Sequence, residues 1–418
     1  MFIRRIIIVA VCFMSFPLYA DAYSVLTHEA IIDVTWDKNI KPLLLRKFPG
    51  ATDSQLKEAH AYAYGGAIVP DMGYYPFGSK LFTNLLHYVR SGDFVSAALD
   101  EARDINEYAF ALGILCHYNA DKYGHPLGTN QCVPLVYPED REKYGPIVTY
   151  EQDPISHIRM EFGFDILQTA RGNYASDKYH SFIGFQVSRP LLERAFIKTY
   201  GLNINDIFND LPLAISTFRW IVKDIFPTLT KAAWSSKKRE IRKSVPGITR
   251  RKFEYKMRTA NYYHEYGKKH EKPGFIPGAL AVIIKMLPKV GALKSLRIKV
   301  PGPEAEKLFI QSFDTVQAHF TQILSTLPKE NPAFKNIDYD TGKDTNPGEY
   351  NLADHTYVEL ILKLNDDKFR RMDHELKQNI LVFYGQCNEK IAAIEGIDCW
   401  KKIIVALDTL KTIHTRAH

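Results

Sequence analysis

The segment His117-Tyr-Asn-Ala-Asp121-Lys-Tyr-Gly-His125 holds the densest set of chemically useful side chains in this 418-residue chain. At helical pitch, positions four and eight residues apart fall nearly on one face, drifting about 40° per step. His117, Asp121 and His125 therefore project to one side and offer two imidazoles and a carboxylate. These are the nitrogen and oxygen donors that zinc prefers. His157 and Glu161 repeat the four-residue spacing on a later predicted helix. One such pair is as easily a surface hydrogen bond as a ligand pair. Two sets within 45 residues point to metal binding.

Three more candidates lie upstream. His28 sits close to the start of the mature chain expected below. Asp71 falls in Gly66-Ala-Ile-Val-Pro-Asp71-Met-Gly-Tyr-Tyr, a loop by its proline and glycine content. His87 lies in or at the opening of a helix. Taken singly, His28 reads as a surface residue, Asp71 as a turn or cap residue, and His87 as a hydrogen-bonded core histidine.

Their order says more than any one of them. Tyr23 at a processed N-terminus, His28, Asp71, His87, His117-x3-Asp121-x3-His125 and His157-x3-Glu161 together resemble the trinuclear-zinc family. That family comprises bacterial zinc-dependent phospholipases C and single-strand-specific fungal nucleases, α-helical enzymes that bind three zinc ions at the bottom of a cleft. The resemblance covers residues 23 to 165 by motif and extends over the helices to about 230. It implies that Asp71, His87, His117 and Asp121 hold one ion, with Asp121 bridging to a second. His28 and the α-amino group and carbonyl of Tyr23 complete that second ion. His125, His157 and Glu161 take a third, more exposed ion, and Asp71 resembles the carboxylate proposed in the family as general base. Tyr23 stands where the family usually has Trp, and the gaps from His87 to His117 and from Asp121 to His125 are shorter than in its best-known members.

Three divalent ions facing three carboxylates leave net positive charge, which suits an anionic substrate. A phosphodiester across the ions would be polarised and attacked by a zinc-bound hydroxide, since zinc brings the pKa of bound water towards neutrality. The expected activity is phospholipase C-type hydrolysis of a phospholipid. The alternatives are a single-strand-specific nuclease of the same fold and a non-catalytic, metal-containing binding protein.

The elements that must position these residues read as helices. Asp53 to Tyr64, Phe94 to Asn119, Ile155 to Ala170 and Pro303 to Leu327 carry apolar residues at three- and four-residue intervals, and alternating strand patterns are scarce. The fold class expected is all-α. Residues 1 to 22 read as a signal peptide: Arg4 and Arg5, an apolar run from Ile6 to Phe16 too short to span a bilayer, then Ala20-Asp21-Ala22. Cleavage after Ala20 fits the same rule. The expected destination is secretion or the periplasm, where disulfides form; Cys387 and Cys399 are the natural local pair, while Cys116 reads as a buried thiol.

Residues 23 to 230 form the expected zinc hydrolase domain, 231 to 302 a basic and apolar insertion, and 303 to 418 a helical C-terminal region. Between Lys231 and Arg258 eleven Lys or Arg stand against Glu240 and Glu254. This stretch suits an anionic membrane surface, a nucleic-acid backbone or simply a solvated face. Tyr255, Tyr262, Tyr263 and Tyr266 interleave with the charges. The apolar residues from Phe275 to Leu293, rimmed by Lys272, Lys285, Lys289 and Lys294, have the composition of an interfacial anchor, which favours lipid. His319, His355 and His374 lack partners at useful spacing and read as structural or surface residues. With 46% hydrophobic and 24% charged residues, composition excludes a globally disordered chain.

Overall fold

The computed structural model describes residues 24–174, 185–222, 226–253, 299–327, 332–386 and 396–415. The expected signal peptide, Tyr23, the apolar stretch of the insertion and Cys387 lie outside them. The fold is all-α, and among the described residues the only β-type pairing is an isolated antiparallel bridge between Ile337 and Asp344.

The helices that build the site come first in the chain. They are α1 (Val25–Thr35), α2 (Lys41–Lys47), α3 (Asp53–Ile68), α4 (Lys80–Tyr88), α5 (Ser91–Glu101) and α6 (Ile105–Gly124). Local chemistry sets their ends. Thr52 closes a capping box with Gln55 at the start of α3. The helix expected from Phe94 to Asn119 is two helices, because Asp104 accepts from the amides of Asn106 and Glu107 and restarts the chain as α6. After Gly124 the helical path widens through a π-type turn, His125–Thr129, before α7 (Asn130–Val136). Such single-turn bulges are frequent at functional sites.

Helices α3 and α6 pack along most of their length, and glycine permits their approach. A Cβ on Gly66 would lie 1.9 Å from the Phe110 carbonyl oxygen, and one on Gly113 would lie 2.2 Å from that of Ala63. This contact brings Ala67 and His117 together across the interface. α8 (Pro138–Tyr144) and α9 (Pro154–Arg171) follow, then α10 (Arg189–Tyr200), α11 (Leu211–Trp220), α12 (Phe226–Ser244) and the short α13 (Arg250–Phe253).

The C-terminal region adds α14 (Pro303–Thr326), α15 (Asn351–Asp366), α16 (His374–Gln386) and α17 (Ile397–Thr412). Its buried apolar residues share one core with those of the first 222 residues. Phe309 stacks on Phe164 at 4.3 Å, Asn119 donates to the Val316 carbonyl at 2.8 Å, and Arg171 pairs with Glu306 at 2.6 Å. In the basic stretch, Trp234 and Ile241 of α12 are buried while Lys238, Arg239, Arg242 and Lys243 are exposed. No helix among the described residues is long and apolar enough to cross a membrane. Cys116 is a buried thiol, as its apolar neighbours imply.

Candidate metal centre

Eight side chains from six elements meet in the interior. α1 contributes His28, and Asp71 comes from a single 3-10 turn, Val69–Tyr74, which Pro70 begins where the sequence reads as a loop. Thr83 pins that turn: its hydroxyl donates to the Pro70 carbonyl and accepts from the Gly73 amide, each at 2.7 Å. α4 carries His87, α6 carries His117 and Asp121, His125 opens the π-type turn, and α9 carries His157 and Glu161. None of the eight is more than 2% exposed. His28 is therefore not a surface residue, and Asp71 and His87 lie in one buried cluster with His117. Tyr23, the remaining candidate, lies outside the described residues. Ser24, next to it, is buried.

The donors fall into three groups able to hold a metal ion: His28, His117 and Asp121; Asp71, His87 and His117; His125, His157 and Glu161. His117 joins the first two, with its Nε2 lying 3.1 Å from Asp121 Oδ2, 3.4 Å from His87 Nε2 and 3.8 Å from Asp71 Oδ1. His28 Nε2 is 3.5 Å from Asp121 Oδ1, and His87 Nε2 is 3.3 Å from Asp71 Oδ1. In the third group His157 Nδ1 faces Glu161 Oε1 at 3.8 Å. His125 sides with this third group rather than with His117 on α6. The widened turn after Gly124 and the drift of the four-residue spacing carry it round to α9.

The outer contacts of the imidazoles match this arrangement. His87 Nδ1 lies 2.9 Å from the Thr83 carbonyl, His117 Nδ1 2.9 Å from that of Ala67, and His157 Nε2 2.6 Å from that of Val148. A carbonyl can only accept, so each ring donates there. Its other nitrogen then faces the cluster, the pattern that orients metal-bound histidines. Burial holds His28 below its ordinary pKa and takes His125 down to about 3 and His157 to about 4, leaving neutral donors. Burial opposes charge on His117 as well, but Asp121 and Asp71 raise it to about 9. Burial likewise opposes charge on Asp121, yet His117 and His28 hold it well below the usual carboxylate range. Burial raises Asp71.

A protein interior rarely leaves such groups unmatched, because an unsatisfied buried polar atom costs about 1–3 kcal/mol. Here both Asp121 oxygens, both His125 nitrogens, His157 Nδ1 and Asp71 Oδ1 make no hydrogen bond. Ligand atoms about 2.0–2.2 Å from a tetrahedral zinc lie about 3.4 Å apart, close to the spacings above. The donor set fits zinc.

Residues 27–209 match the family model for zinc-dependent phospholipase C. The matched residues are similar to that family. The match implies a zinc-dependent phosphoric ester hydrolase, and all eight buried candidates fall within the matched residues. No curated protein and no solved structure matches the chain.

Two residues at this site escaped the sequence reading. Asp165 continues the series His157, Glu161 along α9. Its carboxylate accepts from the Leu26 amide at 3.2 Å and the Thr27 hydroxyl at 2.8 Å, seating the N-terminus of α1. The four-residue spacing was there to be followed. Asp340, whose Oδ1 faces His125 Nε2 at 3.6 Å, arrives from a turn in the C-terminal region, and nothing in its local sequence marks it.

Proposed function

We propose that the protein is an exported phospholipase C that releases a phosphorylated headgroup by water attack on the phosphodiester, with three zinc ions held by the three buried groups. The observation that carries this reading is the sharing of His117 between two donor groups beside a separate third group, inside a stretch matching the zinc-dependent phospholipase C family. Zinc, when bound, supplies polarisation of the phosphate oxygens and a more acidic water.

The chain's own residues then have distinct tasks. Asp121 ties the first two groups together, its Oδ1 facing His28 and its Oδ2 facing His87 and His117. His125, His157 and Glu161 hold the third. Asp71 turns Oδ1 towards the imidazoles of His87 and His117, leaving Oδ2 as the acceptor for the proton of the attacking water. Asp165 seats the start of α1, and with it His28. Export is supported by the basic start, apolar run and Ala20-Asp21-Ala22 of the sequence, which place a free amine at Tyr23 after cleavage. Contact with a membrane surface is supported by the exposed Lys238, Arg239, Arg242 and Lys243 on α12, opposite buried Trp234 and Ile241.

The test is to offer zinc-loaded mature protein phosphatidylcholine vesicles and single-stranded DNA in parallel, with a chelator control. The expected result is phosphocholine release, abolished by the chelator. Release of nucleotides instead would point to the nuclease reading, and neither product would leave only a metal-containing binding protein. Mass spectrometry of the exported protein should give Tyr23 as its first residue; a start at Asp21 would remove the amine from the site.

A further inference from the structure

We propose that four exposed apolar side chains beside the metal centre, Phe77, Leu127, Ile147 and Ile155, are where the protein enters the surface of a phospholipid membrane. The inference rests on the reading of the chain as a phospholipase C, whose substrate is held in such a surface, and it names the part of the molecule that meets it.

The four come from the segments that carry the buried donors. Phe77 follows the 3-10 turn of Asp71, and Leu127 lies two residues after His125. Ile147 adjoins Val148, whose carbonyl accepts from His157, and Ile155 lies two residues before His157. Contacts tie these segments to one another. The Tyr150 ring packs 6.0 Å from Tyr74 and 6.1 Å from His157, and His157 lies 5.8 Å from His125. The Val148 amide donates to the Asn130 carbonyl at 2.9 Å. Burial changes abruptly along each segment. His125 and His157 are fully buried, while Phe77 is 41%, Leu127 40%, Ile147 54% and Ile155 52% exposed. Apolar surface gathered in water around a buried site marks a place where another apolar phase is met.

Phe77 carries a backbone cost as well. Pro76 and Phe77 are the central residues of a turn closed by the Gly78 amide on the Tyr75 carbonyl at 2.8 Å, and Phe77 holds φ at +67°. A turn with proline first and a positive φ second ordinarily takes glycine or asparagine there, because a side chain crowds the left-handed backbone. A bulky aromatic kept at such a position and largely in water does little for the fold. It suits insertion among lipid chains. None of the four is charged, so this surface needs no anionic lipid. The exposed Lys238, Arg239, Arg242 and Lys243 of α12 do need it, and their attraction fades with salt.

The experiment uses the zinc-loaded full chain with Ile147→Ser, Ile155→Ser, both together, and Phe77→Asn. Rapid sedimentation with vesicles of phosphatidylcholine alone, in high salt, reads binding. Hydrolysis of a short-chain phosphatidylcholine dispersed as single molecules is read beside it. Each serine should weaken vesicle binding about tenfold, the scale of withdrawing one isoleucine from an apolar phase, and the pair about a hundredfold if the sites add. The rate on dispersed lipid should not change. Phe77→Asn should bind vesicles less yet unfold at a temperature no lower than the wild type, since asparagine tolerates the left-handed backbone; it carries the test if the serine variants do not fold. A double variant that binds as the wild type does would overturn the proposal. So would a wild type that binds only anionic vesicles, which would leave the contact to α12, or losses on dispersed lipid equal to those on vesicles. Variants that lose vesicle binding, in a chain that hydrolyses neither form of phosphatidylcholine, would sink the assigned reaction and leave this surface standing.

Discussion

At the scale of single residues, the account turns on His117, whose Nε2 faces His87, Asp71 and Asp121 together. Replacing it with alanine should weaken zinc binding by more than the roughly 10–100-fold seen when only an outer-shell partner is lost, and activity should fall with it. Elemental analysis alongside phosphocholine release checks both, and full metal content in His117→Ala would contradict its role as a ligand. Much of this was legible beforehand, because a helix keeps residues four apart on one side: His117 with Asp121, and His157 with Glu161, meet as their spacing says. His28, Asp71 and His87 carried no such local sign, since each partner lies in another element, and only their order along the chain betrayed them. Asp165 was readable by the same spacing rule as Glu161. Asp340 was not, being brought to His125 from more than 200 residues away by packing alone.

Among elements, the α3–α6 contact holds the site's geometry. Helical periodicity reveals that each helix has a buried face but not how near the two axes come. Gly66 and Gly113 fix that distance, and with it the bond from His117 to the Ala67 carbonyl. Gly113→Ala should destabilise the fold by about 1–3 kcal/mol or more, the usual cost of overpacking, with an accompanying loss of zinc affinity; denaturant unfolding with and without zinc measures both. A variant as stable as the wild type would mean that the helices can separate freely. Asp165→Ala should cost about 1–3 kcal/mol, because the Leu26 amide and Thr27 hydroxyl lose a buried acceptor. Its zinc content should fall mainly through the ion that includes His28. An unchanged melting temperature would remove Asp165 from this role. The single long helix expected from Phe94 to Asn119 failed for a comparably local reason, the stop at Ala102 and the Asp104 cap.

For the whole molecule, the all-α class followed from the helical periodicity and the scarcity of alternating patterns. The integration of the C-terminal helices with the site could not be read that way, since periodicity is silent on which face meets which. α14 lies against α6 and α9 through Phe309, Val316 and Phe320, all buried. A chain ending at residue 298 should therefore expose apolar surface on the helices that carry His117 and Glu161. The expected outcome is loss of the cooperative unfolding transition and of zinc binding. A truncated protein that unfolds cooperatively and retains its metal would show the first part of the chain to be self-sufficient. The measurement that bears most directly on the central claim is anomalous scattering at the zinc edge from crystals of the zinc-loaded protein. Three peaks should appear, one in each buried donor group, with Asp121 beside two of them. Zinc confined to surface residues, with the eight buried side chains hydrogen-bonded to one another instead, would contradict the account.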